Sequence, residues 1–131
     1  MGYRFVEHGG EVEVELEATT EPGIFEAALR ALAELIATDA RDESVTHRVE
    51  LDADDRALLL VDWMNELVYL AEVEQFVPRT VTSLEIADGR LRATVTGDRG
   101  DPLHLVKAVT LSRLAFAHEG GRWHARVVLD V

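Results

Sequence analysis

Carboxylates are the only abundant chemistry in this chain. Asp and Glu number 25 against 13 Lys and Arg, for a formal net charge of −12. Glu11, Glu13, Glu15 and Glu17 alternate with Val12, Val14 and Leu16. Read alone, Glu11 is the first member of a solvated row, since exposed Glu is the ordinary case. Asp130 differs, because it ends the apolar run Val127-Val128-Leu129. With Val131 as the natural end, a terminal carboxylate lies beside the Asp130 side chain. Two adjacent carboxylates repel unless something positive sits between them, and hard cations such as calcium or magnesium prefer oxygen ligands. The pattern leaves both a solvated pair and a cation site open. Lys107 follows a polar stretch; it reads as a surface charge, a counter-charge for carboxylates, or a contact to a phosphate or an acidic partner.

Other chemistries find no support. There is no cysteine, so disulfides, Cys-based zinc sites and thiol catalysis are excluded. The five histidines form no H-x-x-x-H or H-x-H pair. His118 and His124 flank Gly120-Gly121 in a register that sends them to opposite faces. His47 sits on an apolar strand face, where a core histidine is the expected reading. Ser44, Ser83 and Ser112 lie in strand-like stretches without a nucleophile elbow, and the glycines form no phosphate loop.

The elements that position these residues follow from period. Tyr3–Val6 reads as a short strand and residues 11–18 as a half-buried strand of period two. Thr19-Thr20-Glu21-Pro22 opens a helix, with Ile24, Ala28, Leu29, Leu32, Leu35 and Ile36 at helical spacing to about Thr38. Ser44–Leu51 alternates again, with Val45, His47, Val49 and Leu51 on one face. Asp52 or Asp54 is expected to cap a second helix running to about Leu70, with Asp55, Asp62 and Glu66 on its polar stripe. Its start, Ala57-Leu58-Leu59-Leu60-Val61, is apolar nearly all round: it is covered on several sides or offers a face to a partner.

From Thr80 onward two hairpins are expected. Asp88-Gly89 centres the first, pairing Ile86 with Leu91, Leu84 with Ala93, Thr82 with Val95, and Glu85 with Arg92. Residues 97–102 read as a polar loop. Val109–His118 and Trp123–Val131 form the second hairpin around Gly120-Gly121. The expected fold is α+β: a two-layer sandwich of a mostly antiparallel sheet with two main helices, as a single domain over residues 1–131. No apolar run nears the roughly 20 residues that span a bilayer, and the start lacks a signal-peptide core, so a cytoplasmic protein is expected. So acidic a surface disfavours direct nucleic-acid binding through a basic patch.

Four segments, in order, resemble the archease family. Glu7-His8-Gly9-Gly10-Glu11-Val12, after Tyr3-Arg4-Phe5-Val6, is similar to that family's Asp-His-Thr-Ala-Asp-Val signature. Asp62-Trp63-Met64-Asn65-Glu66-Leu67 resembles its Trp-Leu-Asn-Glu-Leu-type helix motif. Val106-Lys107-Ala108-Val109-Thr110 and the terminal Leu129-Asp130-Val131 match unchanged. Both signature aspartates are Glu here, and Thr-Ala is Gly9-Gly10. Glu keeps the charge and adds a methylene, and the glycines free the backbone to accommodate it.

The resemblance implies a non-catalytic helper of an RtcB-type RNA ligase, promoting the ligase's guanylylation and turnover in tRNA splicing and RNA repair. It implies a divalent cation, calcium, held by Glu11, Asp130 and the terminal carboxylate of Val131, with Glu7, His8 and Lys107 lining the site or meeting the partner. Two other classes compete: a small metal-dependent enzyme acting on a phosphate or nucleotide through Glu7, Glu11, Asp130 and His8, and a chaperone-like module built on the second helix without metal.

Overall fold

A computed structural model describes residues 1–37 and 43–131. Strand β1 (Gly2–His8) turns through Gly9-Gly10 into β2 (Glu11–Ala18). Both glycines have positive φ, 39° and 83°, which a side chain there would strain. Helix α1 (Glu21–Ile36) follows, capped by Thr20, whose hydroxyl accepts from the Gly23 amide at 3.1 Å. Its expected end near Thr38 lies outside the described residues. Strand β3 (Ser44–Asp52), helix α2 (Arg56–Val73) and strands β4 (Phe76–Ala87), β5 (Arg90–Arg99), β6 (Ala108–Glu119) and β7 (Arg122–Asp130) complete the order.

All strand pairs are antiparallel and the class is α+β with two helices, as the sequence indicates. The strands, however, form two sheets rather than one: β1-β2-β7-β6 and β3-β5-β4. Both helices touch both sheets. Helix α1 packs against β4 of one and β2 of the other; α2 packs against β6 of one and β3 and β4 of the other. This answers the question left by the apolar start of α2. Leu59, Leu60 and Val61 are buried because the helix is covered on several sides, while Leu58, Tyr69 and Val73 stay exposed. Trp63 is fully buried and its indole N–H donates to the Phe25 carbonyl at 2.9 Å, joining the two helices. Among the described residues no helix is long and apolar enough to cross a membrane.

Four local expectations are corrected. Asp55, not Asp52 or Asp54, caps α2; its Oδ1 accepts from the amides of Ala57 and Leu58. Asp52 is still paired with Arg90 in β3, and the Ala53 amide bonds the Gly89 carbonyl, so the chain leaves the sheet too late for an earlier cap. Strand β4 begins at Phe76, four residues early. Pro78 is tolerated because β4 is an edge strand with a register shift beside the proline. A second shift leaves Thr82 out, so Val81 rather than Thr82 opposes Val95. Residues 97–99 belong to β5 rather than to a loop, with Gly97 opposite both Val45 and Pro78.

Candidate metal site

Pairing, rather than nearness in sequence, builds the site. His8 opposes Glu11 across the β1–β2 hairpin, Glu11 opposes Asp130 across β2–β7, and Asp130 opposes Ala108 of β6. These four residues form one row across the four-stranded sheet. The next residues inward, Val12 and Leu129, are buried against the core, so the row lies on the sheet's outer face. Asp130 and Val131 are held on both sides: the Val131 amide donates to the Gly10 carbonyl at 3.2 Å, and the Lys107 amide to the Asp130 carbonyl at 2.8 Å.

The other β2 glutamates are neutralised. Glu13 pairs with Arg113 at 3.4 Å, Glu15 with Arg4, and Glu17 with Arg122 at 3.1 Å. Among the described residues Glu11 and Asp130 have no such partner within 4.0 Å. Like charges directly opposite on a sheet repel, so this pair favours any cation that sits between them. Its donors are all oxygen, which suits a hard divalent ion. The number of donors is small: among the described residues no group of three or more His, Asp or Glu side chains is gathered to hold a metal. Glu11 and Asp130 oppose each other in the row without a third such side chain gathered beside them.

The remaining sequence candidates divide. His8 shares the row of Glu11 and Asp130. Glu7 falls on the opposite face, across from Val12. There it lines an open groove of about 550 Å³ with Phe5, Leu35, His104 and Val131 among others. Lys107 lies next to Asp130 through the backbone, yet its exposed ammonium reaches no described carboxylate within 4.0 Å. His118 and His124 oppose Trp123 and Ala117, as expected, and so diverge; His118 stacks flat on Trp123 at 4.1 Å. His47 packs edge-on against Phe76 at 4.5 Å.

Two features had no sequence signal. Residues 100–107, flanking Lys107, close the end of α1: the amides of Leu103 and His104 donate to the Ile36 carbonyl at 3.1 Å. In β6 the register jumps between Thr110 and Ala115, and this bulge carries Arg113 to Glu13.

The described residues form an α+β fold of two helices and two antiparallel sheets, with a carboxylate pair where the first hairpin meets the last strand. The Archease protein family (MTH1598/TM1083) matches residues 3–131, and the chain belongs to that family. A protein archease from Methanosarcina barkeri is 30% identical over 139 aligned residues, covering 98% of this chain and 95% of its own. One from Pyrobaculum neutrophilum is 31% identical with the same coverage. The solution structure of Methanobacterium thermoautotrophicum protein 1598 superposes with a TM-score of 0.74 at 27% identity, covering 99% of both chains. The crystal structure of a Thermotoga maritima archease, described as a possible chaperone, gives 0.70 at 19% identity over 96% of this chain and 94% of that one, a likeness of fold.

Proposed function

We propose that this protein is a non-catalytic, cation-dependent helper of an RtcB-type RNA ligase, promoting the ligase's guanylylation and turnover. The observation that carries the reading is the Glu11–Asp130 pair, which lies in two of the segments that resemble the family and has no described cationic partner. Glu11, Asp130 and the terminal carboxylate of Val131 would hold a divalent ion, calcium by resemblance. The ion would supply positive charge at a surface otherwise strongly negative. His8 borders the pair in the same row, and Lys107 adjoins it through the backbone.

The chain's own residues supply rigidity. Backbone hydrogen bonds from the Val131 amide to the Gly10 carbonyl and from the Lys107 amide to the Asp130 carbonyl fix the main chain that carries Asp130 and Val131, which would lower the ordering cost of binding an ion. A net charge of −12 steers the protein toward a basic partner such as an RNA enzyme and away from RNA itself. This work would take place in the cytoplasm.

The deciding experiment is guanylylation of the host's ligase with and without this protein. Stimulation at substoichiometric amounts is expected, and none across a titration would refute the helper role. An extension after Val131 is expected to weaken both calcium binding and stimulation.

A second reading has one observation in its favour. A chaperone-like module without metal fits the exposed Leu58, Tyr69 and Val73 along α2. It predicts that Asp130→Ala leaves activity intact, whereas the metal reading predicts loss.

A further inference from the structure

We infer that Arg113 sets the cation affinity of the Glu11–Asp130 site by holding Glu13 out of it. The inference rests on the cation reading of that site and goes beyond it by naming a residue that touches no ligand.

Glu13 is the natural third side-chain donor, beside Glu11 and Asp130. It lies two residues along β2 from Glu11 on the same face, about 7 Å away by strand rise. It opposes Val128, so it is the diagonal neighbour of Asp130. A Glu side chain is long enough to swing toward the pair. It is engaged instead by the Arg113 guanidinium at 3.4 Å.

Arg113 does not reach Glu13 from an ordinary strand position. Residues 111–114 are inserted in β6 between Thr110, opposite Val128, and Ala115, opposite Arg126. Arg113 adopts a positive φ of 53°, uncommon for a side-chain-bearing residue. The bulge is fastened by Arg126, whose Nε donates to the Arg113 carbonyl at 2.8 Å. Val128, on the same outer face, is fully buried. A strained, hydrogen-bonded bulge therefore delivers one guanidinium to the glutamate next to the site.

Two effects follow, and both weaken cation binding. Glu13 is withheld as a ligand, and a positive charge stands roughly 10 Å from the Glu11–Asp130 pair by strand geometry. At a solvated surface a unit charge at that distance changes divalent-ion binding severalfold, less in high salt. Arg113 is thus a positioning residue that keeps the site weak and reversible.

The test is calorimetric titration of calcium into the folded parent, Arg113→Gln, Arg113→Lys and Glu13→Gln at low ionic strength. Arg113→Gln is expected to bind about three- to tenfold tighter, with the gap shrinking at 0.5 M salt (roughly a 4 Å screening length). Arg113→Lys is expected to match the parent. Glu13→Gln, which leaves the guanidinium unbalanced and keeps the bulge, is expected to bind more weakly. It carries the test should Arg113→Gln fail to fold. A parent that binds calcium while Arg113→Gln binds equally or less well, or while Glu13→Gln binds equally or better, overturns this inference alone. No binding by any of the four overturns it together with the cation reading. A role confined to stability would lower the melting temperature and leave the affinities unchanged.

Discussion

Glu11 and Asp130 face each other across the β2–β7 pairing although 119 positions separate them in the chain, and neither has a described cationic partner. Like charges in that position are destabilising by about 0.2–1 kcal/mol. Asp130→Asn is therefore expected to raise unfolding stability slightly, by up to about 1 kcal/mol, when divalent ions are chelated. Millimolar calcium is expected to stabilise the parent further, and the same change is expected to abolish that gain. Thermal unfolding with chelator and with calcium checks both halves.

Trp63 has its indole N–H on the Phe25 carbonyl at the α1–α2 contact, and it is fully buried. Trp63→Phe removes the hydrogen bond and opens a void. A loss of about 2–4 kcal/mol is expected, seen as a lower denaturant midpoint with an unchanged m-value.

Gly97 and Gly10 should respond differently to alanine. A Cβ on Gly97 would come within 2.3 Å of the Val77 carbonyl oxygen and 2.9 Å of the Phe76 ring, so the β4–β5 pairing must shift. Gly97→Ala is expected to cost about 3 kcal/mol or more, at or above the usual range for overpacking. At Gly10 nothing lies within 4 Å, and only its positive φ opposes a side chain. Gly10→Ala is expected to cost about 1–2 kcal/mol. Urea unfolding of the two variants ranks them.

Asp55 is the N-cap of α2, its carboxylate oxygen 2.6 Å from the Ala57 amide. Asp55→Ala is expected to lower stability by about 0.5–2 kcal/mol, whereas Asp54→Ala is expected to change it little. Chemical denaturation of the pair distinguishes the observed cap from Asp54, one of the two that the sequence suggested.

Much of the fold was legible because its signals are local. Strict alternation bounded β2 at residues 11 and 18, and Asp88-Gly89 and Gly120-Gly121 set both hairpin registers at their turns. The errors began where distant partners decide. Bulges at Thr82 and at residues 111–114 leave no mark in hydrophobic period, because each is absorbed by pairing across the sheet. The strand through Pro78 exists only because its edge position leaves the missing N–H unneeded. The division into two sheets depends on which hairpin docks on β2, again a non-local choice. The candidate site shows the same split. Asp130 stood out by its place after an apolar run, whereas Glu11 looked like one solvated glutamate among four. Only pairing with β7, and the arginines on its three neighbours, sets it apart.

The most direct measurement is the rate of ligase guanylylation in the presence of calcium, with the parent protein and with Asp130→Asn compared at equal concentration. A cation-dependent helper predicts strong stimulation by the parent and near-basal rates with the folded variant. Equal stimulation by both would contradict the central role of the carboxylate pair.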